Sequence, residues 1–190
     1  MGHSQEDKAE NHARIVRVAA ARFREIGVDG IGVADLMKQA GLTHGGFYRH
    51  FASRDEMVGE AIERALKDGE LAVDAMLNNR QATLAMLIDG YLSAAHRDGL
   101  ASSCAVTTLA SDTARSNARA RSAYGRQVNK YLQLLLKLIH ADKHKRRRAK
   151  AIAALSTLVG AVAMARAVDD EKLSREILTA AADELKAQLG

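Results

Sequence analysis

The chain has 190 residues, 47% apolar and 27% charged, a balance that excludes a disordered charged tail and fits one ordinary globular unit or a small domain joined to a larger one. Proline and tryptophan are absent and only three Phe and four Tyr are present, so composition favours helix throughout and gives strands little support. The formal net charge of +5 is unevenly placed: residues 1–64 carry nine Lys/Arg against ten Asp/Glu, and residues 65–190 carry nineteen against thirteen. Bulk positive charge is therefore no argument for a nucleic-acid partner of the N-terminal third.

The polar stretch Met1–Asn11 reads as a frayed arm without the apolar core of a secretory signal. A first helix is predicted from about His12 to Ile26, with Ile15, Val18, Ala19, Phe23 and Ile26 recurring at three- and four-residue steps. Gly27 follows as the residue that stops it through positive φ. A second, short helix spans about Val33–Ala40, with Gly41 allowing a sharp turn and Thr43 placed to cap a third over His44–His50. Ser53-Arg54-Asp55-Glu56 has the form of a capping box, opening a long helix that reaches about Leu77. Further helices are expected at about 81–94, 105–110, 114–139, 145–168 and 172–189, with the loop His96–Ser103 as the softest part. The longest apolar run, Ala151–Ala165, is too short for a bilayer span and reads as a buried helix, so no membrane partner is expected.

The short helix after Thr43 carries the chemistry. Successive helical side chains advance by about 100°, so turning Phe47 and Phe51 inward leaves the opposite face polar. Such a helix can sit in the DNA major groove, its exposed face on base edges and its rim on phosphates. Arg49 suits a bidentate contact to guanine and His44 a donor to a base edge. Thr43, Tyr48 and His50 suit phosphate oxygens, and Arg54 adds charge beside the free amides of the next helix start. Gly45 and Gly46 each weaken the helix by about 1 kcal/mol relative to Ala, which points to close backbone approach there.

These segments also carry a family resemblance. Ala19-Ala20-Ala21-Arg22-Phe23-Arg24-Glu25-Ile26-Gly27, Val33-Ala34-Asp35-Leu36, Ala40-Gly41-Leu42-Thr43 and Gly46-Phe47-Tyr48-Arg49-His50-Phe51 with Arg54 resemble, in order and spacing, the N-terminal domain of TetR-family (tetracycline-repressor-like) regulators. Cys104-Ala105-Val106 to Asp112, and Arg166-Ala167-Val168-Asp169-Asp170, resemble one C-terminal subgroup more distantly. The resemblance implies an all-α fold: an N-terminal arm and helix-turn-helix over 1–53, and a helical effector-binding and dimerisation domain over 54–190. It implies DNA contacts at Thr43, His44, Gly45, Tyr48, Arg49, His50 and Arg54. Ala34 lacks the contact that some members make near the start of the second helix, and Gly32 stands where a Ser or Thr cap is usual.

It further implies a cytoplasmic homodimer, most simply a repressor released from a pseudo-palindromic operator by a small molecule. Two stripes suit the dimer interface: Ile152, Leu155, Val159, Val162 and Arg166, and Leu173, Ile177, Ala181 and Leu185. Met76, Met86, Leu87, Tyr91, Cys104, Thr107, Thr108, Tyr124 and Tyr131 are candidates for a ligand pocket, core being the default for each alone. Cys104 is a small buried hydrophobe or, on a sharper reading, a redox or electrophile sensor with His96 and Arg97 as its possible cationic neighbours. His140 and His144, four apart among basic residues, read as a solvated helix end rather than a metal site. No nucleophile–base set, phosphate-cradling loop or metal spacing is present, so no enzyme, cofactor or metal is expected. A helical enzyme or carrier and a dimerising adaptor are the competing classes.

Overall fold

The computed structural model describes residues 5–78, 81–139 and 144–189, and His140 lies outside them. Ten α-helices and two 3₁₀ segments occur among these residues, without a strand. Helix α1 (Gln5–Ile26), α2 (Val33–Gln39) and a 3₁₀ segment (His44–Arg49) form an N-terminal unit. Helix α3 (Arg54–Asn78) leads to α4 (Leu84–Tyr91), α5 (Ala94–Asp98), a 3₁₀ turn (Leu100–Ser102), α6 (Ala105–Thr108) and α7 (Ala110–Ala114). The long helices α8 (Ala118–Leu138), α9 (His144–Ala167) and α10 (Glu171–Leu189) complete the chain.

Local chemistry explains most boundaries. Gly27 at φ 75° and Gly41 at φ 72° are the two positive-φ glycines among the described residues, each at the end of a helix or turn where the sequence places it. The capping-box residues close the start of α3, with the return bond one residue early: Ser53 Oγ accepts from Glu56 N at 3.1 Å, and the Glu56 carboxylate accepts from Ala52 N, rather than Ser53 N, at 2.6 Å. Thr83, Ser93 and Asn117 accept from Met86, His96 and Ala120 N respectively and set the starts of α4, α5 and α8. Helix α1 begins seven residues before the predicted start, in the stretch expected to fray. Glu6 and Asp7 suit its positive end, and His12 is held with its ring 4.5 Å from that of Phe51 and its Nε2 2.7 Å from Glu60.

Helix α3 is the common wall. On one side it packs against α1, and Ile15, Ala19, Phe23, Leu36, Met37, Phe47, Phe51, Met57 and Ile62 are buried in one cluster that continues to Val106, Leu109 and Ala120. On the other it packs against α8, beyond which α9 and α10 enclose a second cluster around Leu134, Leu135, Leu158, Val162 and Leu178. Gly59 admits Asn117, whose Nδ2 donates to Asp55 O at 2.8 Å; a Cβ at residue 59 would lie 2.8 Å from that nitrogen.

Two expectations are corrected. The segment 96–103 is not soft: Arg97 donates to Ser174 Oγ at 2.8 Å and pairs with Asp98 and Glu171, while Arg166 donates to the Arg97 and His96 carbonyls at 2.8 and 2.7 Å. The interface stripe named on α9 is largely the inward one. Leu155 and Val162 are buried in the chain's own core, Val159 packs partly against it, and Arg166 is turned inward; on α10, Leu185 is buried and Ile177 and Ala181 pack partly on the same core. Ile152 and Leu173 remain exposed, at 46% and 42%. From Ala151 to Ala165 helix α9 is apolar or small all round, so two stripes fit the helical period, and the solvent-facing one is Ile152, Ser156, Gly160, Ala163, Met164 and Ala167.

Candidate functional site: an exposed recognition face and a mainly apolar cavity

The recognition segment is wound as a 3₁₀ helix rather than an α-helix. Two glycines among its six residues weaken α-helical preference, and the segment ends within two turns, where tighter winding is common. The predicted faces nevertheless hold. Phe47 is 1% exposed and stacks 5.4 Å from Phe51, while the adjacent Tyr48 is 75% exposed. Thr43, His44, Gly45 and Arg49 are exposed as well; Gly46 and His50 are half-buried.

Thr43 sits at the N-cap with φ −81° and ψ 147°, but its hydroxyl makes no capping bond; Gly46 N instead donates to the Thr43 carbonyl at 3.0 Å. A Cβ on Gly45 would meet nothing within 4 Å, so the protein interior does not require glycine there. Lys8, Asn11, Thr43, Gly46, Tyr48, Arg49 and His50 border one shallow concavity, which brings α1 to the rim of the recognition segment. Burial, with the neighbouring His12, Lys8 and Arg49 charges, holds the His50 imidazole below its ordinary pKa. Arg54 stands apart from this group. Its Nη2 donates to the Val28 carbonyl at 2.7 Å and lies 3.3 Å from Asp29, tying the α1–α2 loop to the start of α3.

The second feature is a cavity of about 600 Å³ bordered by α3, α4, α8 and α9 and by the segment 96–104. Met76, Met86, Leu87, Tyr91, Cys104 and Tyr131 line it, as the sequence suggests. Thr107, Thr108 and Tyr124 do not. Thr107 shares a 2.7 Å hydrogen bond with the Tyr91 hydroxyl, Thr108 donates to the Cys104 carbonyl, and the Tyr124 hydroxyl donates to the Val106 carbonyl at 2.8 Å. Their hydroxyls are consumed in holding α6 to its neighbours.

Lining residues that were not among the pocket candidates include Arg24, Asp68, Gly69, His96, Leu134, Leu135, Leu158 and Leu155, the last expected at the dimer interface instead. Arg24 matters most, because it belongs to α1. Its Nε donates to the Ala101 carbonyl at 2.6 Å and its Nη1 to the Ala65 carbonyl at 3.1 Å, and it pairs with Asp68 at 3.2 Å. The one sequence signal for it was a charge on the otherwise buried side of an amphipathic helix. His96 is neutral. Its Nδ1–H donates to the Tyr91 carbonyl at 2.6 Å, which leaves Nε2 to accept from Cys104 N at 3.2 Å. Burial lowers its pKa, the Tyr91 carbonyl opposing and Arg166 adding to the effect. Cys104 Sγ lies 3.3 Å from the Tyr131 hydroxyl, and burial pushes the pKa of both Tyr91 and Tyr131 up. Of the two cations expected beside the thiol, His96 is thus uncharged and Arg97 is directed to Asp98 and Glu171.

Comparison with known proteins bears on the N-terminal segment and on the fold. Residues 15–61 match the family described as bacterial regulatory proteins, tetR family. Over 48 residues the chain is 42% identical to the HTH-type transcriptional repressor KstR2 of Mycobacterium tuberculosis, a match covering 25% of this chain and 24% of that one. Over 71 residues it is 30% identical to the uncharacterized HTH-type transcriptional regulator YfiR of Bacillus subtilis, covering 37% and 35%. The matches therefore span between a quarter and about a third of these relatives' lengths. In fold the likeness is nearly complete. A TetR transcriptional regulator from Chloroflexus aurantiacus superimposes with a TM-score of 0.77 at 23% identity, over 97% of this chain and 98% of that one. The reduced form of NemR from Escherichia coli does so with a TM-score of 0.76 at 17% identity, over 95% and 97%.

Proposed function

We propose that this chain, a TetR-family regulator by its N-terminal domain and its fold, is a homodimeric repressor released from a pseudo-palindromic operator by a small molecule bound in the C-terminal cavity. The observation that carries the reading is the pairing of a buried Phe47 with an exposed Tyr48 on a segment otherwise open to solvent. The Phe47–Phe51 anchor fixes the segment, and its outer face of Thr43, His44, Gly45, Tyr48 and Arg49 meets DNA. Arg49 reads a base edge; Tyr48, Thr43 and His50 hold phosphates. Gly45, with open space where a side chain would stand, lets the backbone approach the groove. Arg54 acts mainly by bracing the α1–α2 loop and contributes phosphate charge from there.

Two copies pair through the solvent-facing stripe of α9, around Ile152, Gly160 and Met164, with the exposed edge of α10 at Leu173. Small residues there permit close helix approach, and the resulting two-fold presents two recognition segments to one DNA face. The cavity communicates with DNA through Arg24, which reaches from α1 into the cavity wall. A ligand that favours a different position of Ala101 or Asp68 thereby favours a different tilt of α1, and so a different spacing of the two recognition segments.

The test is a gel shift of the full chain on the DNA flanking its own coding region, with the dimer verified by sedimentation. The expected result is a salt-sensitive complex at a pseudo-palindrome, weakened by Arg49→Ala. No complex at low salt from a verified dimer would remove the repressor reading and leave a helical carrier.

A further inference from the structure

The concavity between α1 and the recognition segment gathers donors and no acid. Its polar border is Lys8, Asn11, Thr43, Tyr48, Arg49 and His50, without a carboxylate. Resting on the reading of the recognition segment as the DNA-binding element, we infer that this concavity seats one backbone phosphate of the DNA, that Lys8 and Asn11 of α1 hold it together with the recognition segment, and that His50 takes up a proton when it is seated.

The first argument is what α1 brings. Lys8 and Asn11 lie in the stretch expected to fray, and their place in a helix carries them to this border. Helical side chains advance by about 100°, so Lys8, Asn11 and His12 share one side of α1 while Glu6 and Glu10 fall on the other. His12 fixes that side against the recognition segment, its ring 4.5 Å from Phe51 and 6.2 Å from His50. Lys8 is exposed and forms no ion pair among the described residues. Asn11 accepts from Arg14 through Oδ1, which leaves its amide hydrogens to donate. Asp7, at the flank of this side, has a partner of its own. Across the concavity the Thr43 hydroxyl makes no capping bond, and Tyr48 projects into solvent. A phosphodiester accepts hydrogen bonds, donates none and carries one negative charge, which complements such a border.

The second argument is the setting of His50. Lys8 and His12 approach it from α1, and Arg49 is its chain neighbour. Glu60 of α3 is directed to His12 at 2.7 Å and to Arg119 of α8 at 3.1 Å. His50 Nδ1 is buried without a partner, leaving Nε2 as the ring nitrogen that can meet a ligand. Burial and the surrounding cations keep the imidazole below its ordinary pKa in the free chain. A phosphate in the concavity opposes those cations and raises it. Binding then takes up a proton. Affinity rises as pH falls from the raised, bound value to the lowered, free one, and levels off below that.

The experiment follows the anisotropy of two rhodamine-labelled duplexes titrated with the full chain: the DNA flanking its coding region, and a scrambled duplex of equal length. Lys8→Gln should weaken both by a similar factor, about tenfold for a dimer near physiological salt, and lower the slope of log K against log salt by about one per protomer. Arg17→Gln removes the same charge from an exposed residue on the opposite side of α1, and should leave both slopes near wild type. Melting temperature should be unchanged in both variants. At constant ionic strength the wild type should gain about three- to tenfold in affinity between about pH 7.5 and 5.5, and His50→Gln, which donates but cannot charge, should lose most of that gain.

The inference is overturned by an unchanged salt slope in Lys8→Gln, an equal loss in Arg17→Gln, no pH gain in the wild type, or a gain that survives His50→Gln. Competition by inorganic phosphate at constant ionic strength would also overturn it, assigning the seat to a free anion. Equal binding of the two duplexes with the Lys8 and His50 effects intact sinks the repressor reading alone. Preference for the flanking duplex without those effects sinks this inference alone, and no binding to either duplex at low salt sinks both.

Discussion

The recognition face and the cavity are opposite solutions to placing polar groups. On the recognition face, Thr43, His44, Tyr48 and Arg49 project into solvent from a segment held by two phenylalanines, and the interior takes no part in their chemistry. In the cavity, Arg24, His96 and Tyr91 are engaged in bonds that cross between helices, and function must act by redistributing those bonds. An exposed site can change residue by residue without touching stability. The cavity cannot, because each polar group is also part of what holds the helices together.

The widest separation is expected at neighbouring residues 47 and 48. Phe47→Ala should cost about 3–5 kcal/mol in denaturant unfolding, as a fully buried aromatic. Tyr48→Ala should change stability by less than about 0.5 kcal/mol while weakening operator binding in a gel shift. Equal stability losses at the two positions would end the distinction between anchor and reader. Arg49→Ala should cost about 1–3 kcal/mol of discrimination at one base pair with an unchanged melting curve.

Arg24→Met tests the other region. It should lose about 1–3 kcal/mol of stability, since it strands the Ala101 carbonyl and removes one of the two guanidinium partners of Asp68, and it should leave operator affinity in place while removing ligand response. A retained response would show that coupling runs elsewhere. Gly45→Ala should raise stability by about 0.4–1 kcal/mol and still weaken operator binding, because its Cβ enters only the space assigned to DNA.

The smallest effect is a pH slope. The His96 pKa is held below its ordinary value of 6.5, mainly by burial. The unfolded chain therefore takes up a proton near 6.5 that the folded chain resists. Stability from this group is fully present above that pH and falls as pH drops through it, until the lowered folded pKa is reached. Melting temperature should decline on acidification below about 6.5, and His96→Gln should flatten that decline. A wild-type curve unchanged between neutral and mildly acidic pH would show that the imidazole is not held neutral.

Much of the fold was legible because its signals are local. Gly27 and Gly41, the Ser53–Glu56 capping box and the Phe47–Phe51 spacing each act within a turn of chain, and each appears where the pattern places it. The start of α8 at Ala118, set by the Asn117 cap, lies four residues after the expected start at Ala114. The cavity was half legible. Met86, Tyr91 and Cys104 line it, but Thr107, Thr108 and Tyr124 spend their hydroxyls elsewhere, and no periodicity tells a hydroxyl facing a void from one bonded to a carbonyl.

By itself the sequence determined helices, turns and the two faces of the recognition segment, because these depend on backbone preference and on spacing within a few residues. Only the tertiary structure decided which stripe of α9 faces the core, that Arg24 reaches from α1 to the Ala101 carbonyl 77 positions away, and that Gln127 and Tyr131 meet at Gly69. Those outcomes depend on which of several equally periodic faces finds a partner, and packing between distant segments settles that choice.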